Sequence, residues 1–453
     1  MEKSTRVSAK SPIQLSDHFS YSRLLRFVFP SIVMMVFVSI YGAVDGLFVS
    51  NFVGKTEFAA VNFIFPVIMI LGAFGFMIGT GGTAVVAKTM GEGDVKLANK
   101  YFSMLIYVTL AGGILIATLG IIFVPDIARL MGAEGEMLDC AVLYASVVLL
   151  GLPFFMLQNT FQNFFITAEK PKMGLFVTVA AGVTNIVCDA LFVAVFQWGL
   201  VGAALATALS QTVGGVVPLV YFARKNTSLL RLGKTKLYGR VLFKTCTNGS
   251  SELMSNISMS LVTLLYNAQL LKFAGEDGIA AYGVIMYVGF VFIAIFIGFV
   301  IGAAPIVSFH YGAANTDELK NLFKKSTVLT SVGGAAMMIL ALALAVPLSS
   351  LFVGYDEALF EMTVTAFIIH ALHYLFAGFN IFGSSFFTAL NNGGVSAAIS
   401  FLRTLVFQCA SVLVLPLILG LDGIWFASLI AELLTFGVTM AFILANRKKY
   451  GYT

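Results

Sequence analysis

The chain has 453 residues, of which 59% are hydrophobic and only 11% are charged. A soluble globular protein carries roughly 25% charged residues, so this composition excludes a water-facing surface and indicates that most of the surface faces lipid. The net charge of +5 is modest, and no basic cluster is interleaved with aromatic residues, which argues against a nucleic-acid partner. The four cysteines are scattered singly without metal-ligand spacing, so we expect them to be small apolar fillers, and we expect no cofactor.

Apolar segments along the chain predict an all-α integral membrane protein. A spanning helix needs about 20 mostly apolar residues. Twelve segments of this kind follow one another, and the breaks between them carry charged and turn residues. They lie near 28–50, 59–86, 101–124, 140–166, 172–196, 200–222, 246–272, 279–309, 322–346, 360–388, 393–417 and 423–445.

The distribution of Lys and Arg predicts the orientation of these helices. The side that carries both termini holds 23 Lys or Arg residues, whereas the opposite side holds three, Lys55, Arg129 and Lys272. Positive residues favour the cytoplasmic side. We therefore expect a multi-pass protein of the cell membrane, inner or plasma, with both termini in the cytoplasm and with membrane lipids around it.

The chain also repeats itself at an offset of 221 residues, so that Gly81 and Gly91 correspond to Gly302 and Gly312. Each half has six helices, an even number, so the halves enter the membrane in the same orientation and are related by a pseudo-two-fold axis along the membrane normal. Parallel repeats of this kind are typical of transporters whose site lies between the halves. The predicted organisation is a cytoplasmic segment 1–27, a six-helix bundle 28–222, a basic linker 223–245, a second bundle 246–445 and a cytoplasmic tail 446–453.

Few ionisable residues fall within the spans, and each costs at least ~2.5–3.5 kcal/mol at the bilayer centre, so each invites a functional hypothesis. Asp189 follows Asn185 by four residues, which places both on one helical face, and Thr207 lies on the next helix. Asp45 lies late in the first span. Two carboxylates in low dielectric cannot both ionise cheaply, and one proton or one sodium ion relieves their repulsion. The pattern predicts a proton or sodium site; a structural hydrogen-bond network between helices is the alternative.

Other polar residues of the spans are weaker candidates. Asn159, Gln162 and Asn163 belong to a polar stripe on the fourth span and could contact substrate. Glu252 could bind a cationic substrate or a second ion, or pair with Arg403 or a histidine; Glu432 is expected to pair with Arg403. For His370 and His373, three residues apart, we expect structural contacts, with proton relay as the alternative. Pro30 opens the first span and suggests a hinge on the helix of Asp45.

In this order, several motifs resemble the multidrug and toxic compound extrusion (MATE) family, from about residue 20 to residue 445. They are Pro30, Asp45 and Gly54 in the first span, Asn185-x-x-x-Asp189 followed by Gly202-Ala203-Ala204-Leu205-Ala206-Thr207, and Gly302-Ala303-Ala304-Pro305 followed by Tyr311-Gly312-Ala313.

The resemblance implies a V-shaped pair of bundles that exports organic cations in exchange for protons or sodium. It assigns ion coupling to Asp45, Asn185, Asp189 and Thr207, all of which match the family pattern of its prokaryotic members, and a bend to Pro30. Glu252 matches a carboxylate of another branch, but that branch also has an Asp on helix ten, where this chain offers only His370 and His373.

We therefore predict a monomeric secondary antiporter that exports lipophilic organic cations, coupled to protons in preference to sodium. A lipid-linked saccharide flippase of the same superfamily is the alternative, although flippases usually need several basic cavity residues and only Arg403 lies in a span. An enzyme is not expected, because no HExxH motif and no GxSxG motif with a plausible partner occurs. A channel is disfavoured by the two-fold repeat with carboxylates in one half.

Overall fold

The computed structural model describes residues 13–452, and no strand occurs among them. The first half forms α1 (Tyr21–Phe52), α2 (Lys55–Gly91), α3 (Val95–Leu130), α4 (Gly135–Thr167), α5 (Pro171–Asp189), which continues as a π-helix (Ala190–Val195), and α6 (Gly199–Ala223). The second half forms α7 (Gly239–Gly312), α8 (Thr316–Val353), α9 (Glu357–Ala371), α10 (Tyr374–Ala389), α11 (Gly393–Phe401), a π-helix (Leu402–Phe407), α12 (Gln408–Leu419) and α13 (Leu421–Tyr450).

The longest helix, α7, is a hairpin of two spans. Its backbone leaves the helical region at Gly275, where φ is +63°, a conformation that glycine adopts readily. The rings of Tyr266 and Tyr282 stack with centroids 4.7 Å apart. Along an uninterrupted helix they would be separated by about 24 Å, at ~1.5 Å per residue. The arms 239–274 and 276–312 therefore lie side by side, and the predicted loop around Gly275 is reduced to one non-helical residue.

The predicted tenth span, 360–388, is broken. It consists of α9 and α10, which meet at an angle of 45°. At this break, His373 Nδ1 lies 2.5 Å from the carbonyl oxygen of His370, which also accepts the His373 backbone amide at 3.1 Å. Ten of the described helices are long and apolar enough to span a membrane, the bent pair makes an eleventh, and the division of α7 makes a twelfth. The predicted twelve-helix fold is confirmed.

Two predicted boundaries differ from the structure. The first helix begins at Tyr21 rather than at residue 28, because the Ser20 hydroxyl caps it by accepting from the Arg23 amide. The predicted linker 223–245 is shorter, since α7 already begins at Gly239. The remaining linker lies along α3, where the Asn99 side chain donates to the Leu229 carbonyl at 3.1 Å and accepts from the Arg231 amide at 2.6 Å.

We call α1–α6 the N-lobe and α7–α13 the C-lobe. They meet at the end of the molecule where α1 begins and α13 ends, which we call the basic end. There Gly91 packs against the Phe309 carbonyl, and Gly312 packs against the Lys88 carbonyl. These two contacts are related by the 221-residue offset, so the duplication seen in the sequence is also a symmetry of the interface.

The lobes separate toward the other end. Near the basic end, Gly298 of the C-lobe lies against Ile32 of α1. Further along, the Ser39 hydroxyl approaches the Phe290 carbonyl at 3.5 Å, and beyond that contact Tyr287 is 56% exposed. We call the space between the diverging lobes the cleft.

A segment before α1 fastens the lobes together at the basic end. We call residues 13–20 the clasp. The Leu15 amide donates to Glu169, in the N-lobe loop after α4, at 2.7 Å, and the Phe19 amide donates to Glu318, on α8 of the C-lobe, at 2.9 Å. The side chains of Leu15 and Phe19 are fully buried, and Lys325 donates to the Phe19 carbonyl at 2.6 Å. The clasp thus connects both lobes through backbone groups.

We expect Glu318→Gln to destabilise the protein by about 2 kcal/mol, because a hydrogen bond to a charged group contributes roughly 1.5–3 kcal/mol and the substituted amide would also present a donor to other donors. Thermal unfolding of the purified protein in detergent measures the effect. The matched control is Asp317→Asn, since Asp317 is the exposed neighbour. Equal unfolding midpoints for the two variants would show that the clasp contact contributes nothing.

Candidate ion-coupling site

Asp45 and Asp189 come together inside the N-lobe. Asn185 Nδ2 donates to Asp45 Oδ1 at 3.3 Å, and the carboxyl groups of Asp45 and Asp189 are neighbours. Asp189 is fully buried, and within the described part of the structure neither of its carboxyl oxygens receives a hydrogen bond from a donor. A buried carboxylate without a donor is costly, so the pair requires a shared proton or a bound cation.

Small residues and an irregular helix position this pair. Gly182 lets α1 approach α5 closely, because a Cβ at this position would lie 2.5 Å from the Phe37 ring and 3.1 Å from that of Tyr41. The helix that carries Asp189 changes to π-helical geometry at Ala190. Such π-helical turns recur at functional sites, since they redirect side chains without ending the helix.

Hydroxyl and amide groups surround the acid pair. Thr207 Oγ1 is buried without a partner among the described residues, and the Tyr144 hydroxyl lies beside it. The Tyr41 hydroxyl lies near the Gln158 side chain. The sequence interpretation missed both tyrosines. The spacing of Tyr41, one helical turn before Asp45, could have identified it, whereas Tyr144 carries no signal in its local sequence.

This arrangement can bind a proton or a small cation. The two carboxyls and the oxygens of Asn185 and Thr207 are hard oxygen ligands of the kind that alkali and alkaline-earth cations prefer. However, Asn185 Nδ2 donates to Asp45, and this donor would compete with a cation for the Asp45 carboxylate. The arrangement therefore suits a protonated or partly protonated acid pair.

The polar stripe on α4 makes contacts of its own. Gln162 Nε2 donates to the Thr178 hydroxyl at 3.2 Å, whereas Asn159 and Asn163 donate to carbonyl groups of their own helix at 2.9 and 3.0 Å. Asn163 lies against α2 at Gly79. All three side chains are buried, and Gln162 and Asn163 contact neighbouring helices of the N-lobe. Their assignment as substrate contacts stays a prediction.

The C-lobe holds a second polar cluster. Arg403 Nε and Nη2 lie 2.8 and 2.7 Å from Glu432 Oε1, and Asn380 Nδ2 donates to Glu432 Oε2 at 2.6 Å. His373 and Glu252 lie within electrostatic range of Arg403. The structure therefore places the ionisable candidates in two groups, the acid pair of the N-lobe and this cluster.

The His370 and His373 rings pack against each other with centroids 4.2 Å apart and an interplanar angle of 56°, at the bend between α9 and α10. The structural role predicted for the two histidines stays a prediction, as does proton relay. Pro30 lies inside α1, which is helical from Tyr21 to Phe52, and its role as a hinge stays a prediction.

Known proteins resemble this chain over nearly its whole length. The family model described as MatE matches it twice, at residues 30–191 and 253–414. The multidrug export protein MepA of Staphylococcus haemolyticus is 24% identical over 439 residues, which cover 95% of this chain and 94% of that protein. The corresponding protein of Staphylococcus aureus strain MRSA252 is 23% identical and covers 93% of this chain and 92% of its own length.

Solved structures give the same result for the fold. A crystal structure of MATE in complex with MaL6 has a TM-score of 0.92 at 22% identity and covers 98% of this chain and all of that one. An outward-facing conformation of a multidrug resistance MATE family transporter of the MOP superfamily has a TM-score of 0.91 at 22% identity, with coverage of 98% and 99%. The repeated family match and this fold confirm the resemblance found in the sequence: the chain belongs to the MatE family of membrane transporters.

Proposed function

We propose that this protein exports lipophilic organic cations across the cell membrane in exchange for protons. The names of the staphylococcal relatives support multidrug export. The acid pair supports cation coupling, and the observation that carries this step is the fully buried Asp189 carboxyl, which has a second carboxyl beside it and no donor among the described residues.

The transport cycle follows from the two lobes. In the present state the lobes meet at the basic end, where Gly91 and Gly312 pack on opposing backbone, and the cleft opens at the other end. A proton that enters from the open side neutralises the acid pair, so the pair no longer attracts a cation. The substrate then leaves, and the lobes rock to expose the pair at the basic end, where proton release restores the negative charge.

A flippase for anionic headgroups fits the site less well. Such a substrate requires cationic side chains that line the cleft. Arg403 is the cation that the sequence places within a span, and it is engaged by Glu432. Acidic candidate residues within the spans outnumber Arg403, so their net charge is negative, which suits a cationic substrate.

Everted membrane vesicles test the proposal. In them the cytoplasmic face is outside, so export appears as uptake of a fluorescent cation such as ethidium into the lumen. We expect uptake when the lumen is made acidic in sodium-free buffer, and we expect loss of uptake when a proton ionophore collapses the gradient. Vesicles without the protein are the control.

Two results distinguish the alternatives. Uptake that depends on an imposed sodium gradient and not on the proton gradient would show that the coupling ion is sodium instead of the proton. No uptake of ethidium, or of other lipophilic cations, under either gradient would exclude cation antiport.

A further inference from the structure

The C-lobe cluster contains one carboxylate that is fully partnered and one that is not. Glu432 receives two Arg403 nitrogens on one oxygen and Asn380 on the other. Its side chain is 8% exposed and that of Arg403 is 20% exposed. By contrast, no donor among the described side chains bonds to the Glu252 carboxylate, and the hydrogen bond from Asn256 goes to the Glu252 backbone carbonyl.

Glu252 lies at the floor of the cleft. On the same arm of α7, Gly249 packs against the Met77 backbone of the N-lobe, within the closed contact between the lobes. Glu252 follows Gly249 by three residues, so it lies on nearly the same helical face, one turn closer to the open end. Its side chain is half-buried rather than enclosed. A cation that reached the bottom of the cleft would therefore meet this carboxylate.

The same arm of α7 runs beside the helix that carries Arg403. Asn248 Nδ2 donates to Asn391 Oδ1 at 2.7 Å before Arg403 in the chain, and Gln408 Nε2 donates to the Tyr266 hydroxyl at 2.6 Å after it. Between these contacts, the Arg403 charge acts on Glu252. Arg403 also lies in the π-helical segment Leu402–Phe407, whose irregular geometry turns its side chain toward α13 and Glu432.

The charges of the cluster do not balance. When all three groups are ionised, Glu252 and Glu432 carry two negative charges and Arg403 carries one positive charge. Geometry commits Arg403 to Glu432, so the excess negative charge belongs to Glu252. The nearby guanidinium nevertheless reduces the attraction of Glu252 for any cation in the cleft, because the interaction between charges extends beyond contact in a protein interior.

We propose that Arg403 is a positioning residue that serves as a built-in counter-cation for Glu252, weakens the hold of Glu252 on an organic cation at the cleft floor, and so speeds the release of that cation. This inference rests on the proposed export of cations. It predicts that a carrier without the guanidinium binds its substrate more tightly and releases it more slowly. A release step of this kind limits turnover in many carriers and enzymes.

The test removes the guanidinium without leaving a buried charge unpaired. In the double variant Arg403→Met with Glu432→Gln, both members of the ion pair become neutral. We expect ethidium binding to the detergent-purified protein to tighten by up to about tenfold, less than the effect of a lone unit charge nearby, because the loss of the Glu432 charge offsets part of the loss of the guanidinium charge. In vesicles we expect KM and kcat for ethidium both to fall. Arg403→Lys keeps the positive charge and is expected to retain wild-type binding.

Further variants separate this effect from a structural one. Adding Glu252→Gln to the double variant is expected to cancel the tighter binding, because the proposed effect acts through Glu252. Unchanged binding in the double variant, an equal change in Arg403→Lys, or tight binding that persists without Glu252 would each overturn the proposal. Failure of the proposed function itself is distinguishable, because wild-type vesicles would then transport no ethidium.

Discussion

Asp189→Asn is expected to abolish gradient-driven uptake of ethidium into everted vesicles, with a loss of at least about tenfold, equivalent to ~1.4 kcal/mol or more in the transport barrier. Asparagine has the size of a protonated aspartate but cannot release a proton, so the pair with Asp45 can no longer alternate between charged and neutral forms. Because Asp189 is fully buried beside a second carboxyl, the neutral residue does not leave an unpaired charge, and the variant is expected to fold.

The readout distinguishes coupling from folding. Uptake is measured with an acidic lumen, and the amount of folded protein is measured by size-exclusion chromatography in detergent. Asp139→Asn is the matched control, because Asp139 is an exposed aspartate of the same lobe. Normal uptake by both Asp189→Asn and Asp45→Asn would show that the acid pair does not couple transport to the proton gradient.

The second large effect is expected at the basic end of the molecule. In the double variant Gly91→Ala with Gly312→Ala, each added methyl collides with a backbone carbonyl of the other lobe. Overpacking of one close contact costs typically 1–3 kcal/mol, so the two together cost about 2–6 kcal/mol. A shift near the top of this range reverses a two-state equilibrium almost completely. The closed contact at the basic end should therefore open, and export should fail.

Cys246 reports on this opening. It lies at the start of α7 next to Thr245, whose carbonyl packs against Gly81 of the N-lobe. With the other cysteines replaced by serine, we expect maleimide to label Cys246 faster in the double variant. Gly437→Ala is the control, because a methyl at Gly437 meets open space. Equal labelling rates and full export in the double variant would contradict the expected opening.

The fold was predictable because hydropathy and duplication are properties of the whole sequence. Apolar segments of membrane length gave twelve spans, and the correspondence of Gly91 with Gly312 reappears as a symmetric pair of contacts. The bend near His373 was not predictable, because residues 371–374 contain neither the proline nor the glycine that usually marks a break in a helix. The π-helical turn after Asp189 likewise has no known sequence signal.

The ionisable residues of the candidate site were predictable, because a charge within the bilayer has a high energetic cost. Asp45, Asp189 and Glu432 drew attention because an ionisable residue within a span needs a partner. Their partners were harder to predict. Asn380 corresponds to Asn159 in the duplication, yet only Asn380 binds a carboxylate, since its neighbour is Glu432 where the first half has Gln211. Contacts between distant helices depend on which face each helix turns inward, and one sequence does not fix that.

The clasp limits how far the lobes can separate. Four residues connect the Leu15 amide to the Phe19 amide, and an extended chain reaches at most about 3.5 Å per residue, so the two amides can lie no more than about 14 Å apart. With a hydrogen bond at each end, the carboxylates of Glu169 and Glu318 can lie no more than about 20 Å apart while both bonds persist. Small displacements only straighten this tether. If the lobes are to separate further at the basic end, one of these two hydrogen bonds must break. The length of the clasp therefore sets the largest opening that keeps both bonds.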